Sequence, residues 1–170
     1  MKVIQRISFF VIASLLLITP AFAQKIEYIL PYPGILPDHP LYTLKLVRDR
    51  ILDFLIVDPL RKSEFYVLQA DKRLGMGVAL VEKGNVTLAE ATISKGEKYL
   101  AKASASLLSV AANGKEVPGY LLDRVTKAAM KHEEILTELT VRFTGKELDG
   151  LKSSMELLKK TIEDVAKLKS

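Results

Sequence analysis

The sequence predicts an all-α fold, an antiparallel bundle of about five amphipathic helices preceded by a proline-rich extended strap. Three observations predict it. From Pro40 onward, apolar residues recur at alternating spacings of three and four, the pattern that lines one face of a helix. Short breaks separate these runs at Asp58-Pro59, Gly84-Asn85, Asn113-Gly114 and Thr144-Gly145, all residue types that cap or stop helices. Pro31, Pro33, Gly34, Pro37 and Pro40 fall within ten residues. Each proline fixes its own φ and pushes the preceding residue towards extended backbone.

A chain of 170 residues is one domain long enough to bury a core. There is no cysteine, which removes disulfides, thiolate metal sites and thiol nucleophiles. The net charge is +5, and without Lys2 and Arg6 the remaining 23 basic and 20 acidic residues leave +3. That balance is too weak and too mixed to imply a nucleic-acid partner.

Residues 1–23 read as a secretory signal peptide. Lys2 and Arg6 precede an apolar run from Ile7 to Ile18, and Ala21-x-Ala23 supplies the small residues of a cleavage site before Gln24. The run is short beside the roughly 20 residues of a membrane span. The alternative is a retained anchor. Export implies an extracytoplasmic location: secreted, periplasmic or cell-surface.

Residues 24–39 form the strap. Pro33-Gly34 suits the centre of a type II turn. Asp38-His39-Pro40 suits a helix start, with proline at the first helical position. The expected role of the strap is to lay Ile35, Leu36, Leu41 and Tyr42 over the bundle and close one side of it. The alternative is an exposed proline-aromatic ligand segment. His39 reads as a turn residue and not as a metal ligand.

The helical domain spans residues 40–170. Its first helix is expected over 40–56, with Leu44, Val47, Ile51 and Phe54 as the core stripe. The second, over 59–83, carries Leu60, Ser63, Val67, Ala70, Leu74, Gly77 and Val81 on heptad-like positions. Gly75 and Gly77 each weaken it by roughly 1 kcal/mol, a cost offset by close helix approach or, alternatively, by a ligand notch. Gly84-Asn85 makes the second and third helices a hairpin, and Asn85 in the sequon Asn85-Val86-Thr87 reads as a cap.

The third helix, over 87–112, repeats through Ala89, Ile93, Gly96, Leu100, Ala103, Leu107 and Val110. Residues 113–119 form a loop, a sub-boundary and potential hinge. The fourth helix, over 120–143, carries Leu122, Val125, Ala129, His132, Leu136, Leu139 and Phe143. His132 therefore reads as a hydrogen-bonded core histidine, with a pH-responsive or metal-binding group as the sharper alternative. Thr144-Gly145-Lys146-Glu147 reads as a capping box. The fifth helix, to residue 169, carries Leu148, Leu151, Met155, Leu158, Ile162 and Val165. Lys159, Lys160, Lys167 and Lys169 make its end basic. An elongated arrangement, with the last two helices projecting as a hairpin, is the alternative to one bundle.

The residues from Pro33 to Lys45 resemble the opening motif of a family of exported prokaryotic proteins catalogued as a domain of unknown function. Its pattern reads Pro-Gly-x-Leu-Pro-x-x-Pro-Leu-Tyr-x-Leu-Lys, followed by a charged helix and a helix with an Ala-x-x-Arg-Leu core. Ala70-Asp71-Lys72-Arg73-Leu74 stands at that place here, and the resemblance covers about residues 30 to 110. It implies an exported helical fold and assigns no reaction. The motif residues are Pro33, Gly34, Leu36, Pro37, Pro40, Leu41, Tyr42, Lys45 and Arg73. Structural roles are expected for them, with Arg73 bonding strap carbonyls or an acid of the first helix.

Nothing nominates catalytic residues. There are two histidines, no Gly-x-Ser-x-Gly elbow, no phosphate loop and no His-Glu-x-x-His pair. No cofactor or metal site is expected. The sequence points to a non-catalytic structural or protein-interaction module of the cell envelope, with an unidentified protein or envelope partner. Membrane contact is expected only if the leader is retained as an anchor. The alternative is a small-ligand or metal-binding extracytoplasmic sensor.

Overall fold

The computed structural model describes residues 27–168; the leader and Lys169 lie outside them. Five helices follow the strap: α1 (Tyr42–Leu55), α2 (Pro59–Glu82), α3 (Val86–Ala112), α4 (Gly119–Leu139) and α5 (Gly145–Ala166). A single 3-10 turn over Thr140–Arg142 closes α4. The apolar stripes predicted for α2, α3, α4 and α5 all turn inward. Val67, Ala70 and Leu74 of α2 meet Ala89, Ile93, Leu100, Ala103 and Leu107 of α3. Val125, Ala129 and Leu136 of α4 and Leu151, Leu158 and Val165 of α5 complete the core.

The α2–α3 hairpin is the spine of the molecule. Asp58 caps α2 by accepting a hydrogen bond from the Arg61 amide, and Asn85 caps α3 by accepting from the Leu88 amide. The glycines of the hairpin permit its close approach. A Cβ on Gly96 would meet the Arg73 Cβ at 3.2 Å and the Ala70 carbonyl at 3.3 Å. One on Gly77 would strike the Ile93 side chain. The expected notch is therefore filled by protein. Helix α5 packs mainly on α3 and then on α4, so the last two helices join the bundle and do not project from it.

Two local expectations fail. Helix α1 begins at Tyr42, after a cap at Leu41, and not at Pro40. Asp38 reaches Lys83 at 2.8 Å, while His39 Nδ1 accepts from the Leu41 amide. The capping box at Thr144 does not form. Glu147 instead accepts a hydrogen bond from the Thr87 hydroxyl at 2.8 Å, tying α5 to the start of α3.

The largest correction concerns α1. Its stripe of Leu44, Val47, Ile51 and Phe54 faces solvent, with Phe54 83% and Leu44 67% exposed. The side turned to the bundle carries Lys45 and Asp49. Carbonyls of the strap meet Lys45, and Arg48 of the same helix pairs with Asp49 at 2.7 Å, so the apolar edge is left outside. Ile35 and Leu41 are likewise exposed and do not close the bundle. Leu36 and Tyr42 are half-buried.

Candidate functional site

The core divides into two apolar halves. One gathers Val67, Ala70, Leu100, Leu107, Val125 and Ala129. The other gathers Leu74, Leu80, Ile93, Leu136, Phe143 and Leu151. A charged layer lies where the halves meet on each helix: Asp71 on α2, Glu97 on α3 and His132 on α4. All three are nearly or fully inaccessible to solvent. His132 Nδ1 lies 2.8 Å from Glu97 Oε1, and Nε2 lies 3.2 Å from Asp71 Oδ1. A neutral ring has a proton for only one of these contacts, whereas the imidazolium donates to both. Burial opposes that charge. The Glu97 carboxylate and the hydrogen bonds to both acids outweigh it and raise the pKa to about 9.

Tyr28 of the strap donates to Asp71 Oδ2 at 2.6 Å, closing the layer from outside. Burial and then Asp71 push the Tyr28 phenol well above its ordinary range. Glu97 Oε2 makes no hydrogen bond. The carboxylates meet opposite edges of the ring and do not converge on one point. Among the described residues no group of three or more histidine and carboxylate side chains is placed to hold a metal.

The motif residues assemble a second feature, a polar clamp between strap and α1. Pro33-Gly34 turns the chain, with Gly34 at φ 75, a backbone conformation that a side chain would strain. The buried Lys45 Nζ donates to the Pro33 carbonyl at 3.1 Å and the Ile35 carbonyl at 3.4 Å, and approaches Met76 Sδ at 3.8 Å. Burial lowers the Lys45 pKa to about 8. Asp49 opposes the shift, and Lys72, Arg73 and Arg48 add to it.

Arg73 donates from Nη1 to the Tyr42 hydroxyl at 3.0 Å and lies over the Tyr99 ring at 4.8 Å. Of the two partners expected for Arg73, the strap carbonyls belong to Lys45, and the Arg73 hydrogen bond goes to the Tyr42 hydroxyl and not to an acid of α1. Pro33 packs beside Gly75 of α2. The Leu36 carbonyl accepts from the His39 amide. Pro37 is half-buried, and Pro40 and Leu41 are exposed. The structure thus brings Pro33, Gly34, Tyr42, Lys45 and Arg73 together, and leaves Pro40 and Leu41 at the surface.

Two clefts flank α1. One, of about 390 Å³, has Pro33, Ile35, Leu41 and Leu44 with Lys45, Arg48 and Lys72 in its lining. The other, of about 380 Å³, includes Asp49, Asp53, Arg73, Tyr99 and Lys102. In it, Asp49 Oδ2 and Arg73 Nε are buried without hydrogen-bond partners. Sequence reasoning missed the outward face of α1 and the partners of His132. The available signal was charge on the inner side of each stripe. Asp71 adjoins Ala70, Glu97 adjoins Gly96, and Lys45 and Asp49 sit one turn apart on α1.

No helix among the described residues is long and apolar enough to cross a membrane. No curated protein and no solved structure matches the chain. A protein-family model described as Domain of unknown function (DUF5667) matches residues 34–146. That span takes in the motif from Gly34 to Lys45, Arg73, and the Asp71, Glu97 and His132 layer, and the chain belongs to this family.

Proposed function

We propose that this protein is an exported, non-catalytic helical module that docks onto the cell envelope through the outward apolar face of α1. The observation that carries the reading is the inverted polarity of that helix. Leu44, Val47, Ile51, Phe54 and Leu55 face water while Lys45 and Asp49 face protein. Contiguous exposed apolar surface of this kind marks an interaction site. The sealing of His132, Asp71 and Glu97 supports a non-catalytic role, because no substrate reaches them. The leader supports export with cleavage before Gln24, and an N-terminal mass that retains Met1 would refute the cleavage.

Fractionation of producing cells tests the docking. The wild-type chain is expected with the envelope, and the Leu44→Glu, Phe54→Glu variant is expected to leave it with its helical circular dichroism intact. Equal retention of both would contradict the reading.

One observation favours a second reading, small-ligand binding. The cleft holding the unpartnered atoms of Asp49 and Arg73 offers a carboxylate and a guanidinium to a zwitterionic compound. A thermal-shift screen with amino acids and amino sugars tests it. A rise in melting temperature that Arg73→Lys abolishes supports ligand binding, and no rise with any compound removes it.

A further inference from the structure

Resting on that docking reading, we propose that α1 seats on an anionic phospholipid surface, its apolar edge entering the headgroup boundary and its outward cations meeting phosphate. The charge pattern of the face selects this occupant. Between Leu41 and Val57 the exposed charged residues are Arg48, which is ion-paired with Asp49 at 2.7 Å, and Arg50. Both carboxylates of the same stretch turn away: Asp49 is 4% exposed, and Asp53 is half-buried towards Lys62. A second copy placed face to face would bring Arg50 to Arg50, and the one acid beside the face, Asp49, is already paired with Arg48. An anionic interface supplies a counter-charge for Arg50.

The geometry beside the helix fits the same chemistry. The cleft between strap and α1 joins the apolar side chains of Leu41 and Leu44 to the cation of Lys72, with Arg48, paired to Asp49, and Lys45, held by the strap carbonyls, also in its lining. Apolar walls with cations alongside suit an acyl chain and its phosphate. Past the end of α1, the apolar edge continues through the exposed Val57. A helix with one apolar face and basic flanks lies in the plane of a membrane interface and does not span it. The contact belongs to α1 and does not require Met1–Ala23 to remain attached, which separates it from anchoring by the leader.

The absence of cysteine allows a site-specific test. The full chain is prepared with single substitutions Phe54→Cys, Val57→Cys or, as an equally exposed apolar control in the α4–α5 turn, Val141→Cys. Each is labelled with an environment-sensitive nitrobenzoxadiazole probe and mixed with phosphatidylglycerol or phosphatidylcholine vesicles. Probes at 54 and 57 are expected to shift to the blue on phosphatidylglycerol and to be quenched by spin-labelled lipid, while the probe at 141 stays aqueous. High salt, or Arg50→Gln with Lys72→Gln, is expected to weaken binding roughly tenfold.

Aqueous emission at 54 and 57 on both lipids would overturn the proposal. If envelope retention still depended on Leu44 and Phe54, the docking reading would survive with a different partner. A blue shift without vesicles that grows with protein concentration would overturn it in favour of a second copy. One independent of concentration would mean that the chain covers its own face. Equal, salt-insensitive insertion into both lipids would also overturn it, because the anionic headgroup would then have no role.

Discussion

His132 is the residue on which the interior turns. It is the positive centre of a layer that otherwise consists of Asp71 and Glu97, so its removal leaves two buried carboxylates facing one another. His132→Ala is expected to cost about 3–5 kcal/mol in urea denaturation. Glu97→Gln keeps the shape of the layer and removes the largest favourable interaction of the ring. The His132 pKa, read by NMR, is expected to fall below its value of about 9.

The same residue sets a pH dependence. Folded protein holds the proton to about pH 9, whereas an unfolded histidine releases it near 6.5. The contribution to stability is complete below about pH 6.5 and is lost as pH rises towards 9. Lys45 acts in the opposite sense. Its folded pKa of about 8 lies below the ordinary 10.5, so its contribution grows between those values. Stability is therefore expected to fall with pH between about 6.5 and 8, where the histidine acts without the lysine. A rising curve over that window would contradict the charged-layer assignment.

At the scale of the element, α1 separates what periodicity reveals from what it does not. The three-four spacing of Leu44, Val47, Ile51 and Phe54 showed that a helix forms and that it has two faces. Which face turns inward was decided elsewhere, by the Pro33 and Ile35 carbonyls that accept from Lys45 and by the α2 and α3 residues, Arg73 among them, that share a cleft with Asp49. Those partners are remote in sequence, so the stripe alone could not name its side. The clamp also predicts how α1 behaves. Lys45→Met is expected to remove hydrogen-exchange protection from α1 while α2 to α5 keep theirs, because the bundle core does not include α1. Phe54→Ser is expected to change stability by less than about 0.5 kcal/mol, whereas Leu100→Ala in the core should cost about 2–5 kcal/mol.

For the whole molecule, the helix number, the tight α2–α3 turn and the inward stripes of α2 to α5 were legible, because each depends on local spacing and on caps within three residues. The layer that joins them was not. His132 lies 35 residues from Glu97 and 61 from Asp71, and only packing brings them together. That packing depends on the close α2–α3 approach. Gly96→Val is expected to destabilise by about 1–3 kcal/mol, since the Arg73 Cβ and Ala70 carbonyl stand where its side chain would go.

The result is a bundle in two apolar halves with a charged waist, carrying a strap and one helix whose oily side looks outward. That orientation is the central claim, and a cysteine-free chain allows it to be read directly. Single cysteines at 44, 47, 51 and 54 of the purified protein are expected to react with a maleimide at rates close to those of the unfolded chain, and a cysteine at 49 far more slowly. Fast reaction at 49 with protection at 44 and 54 would contradict the account.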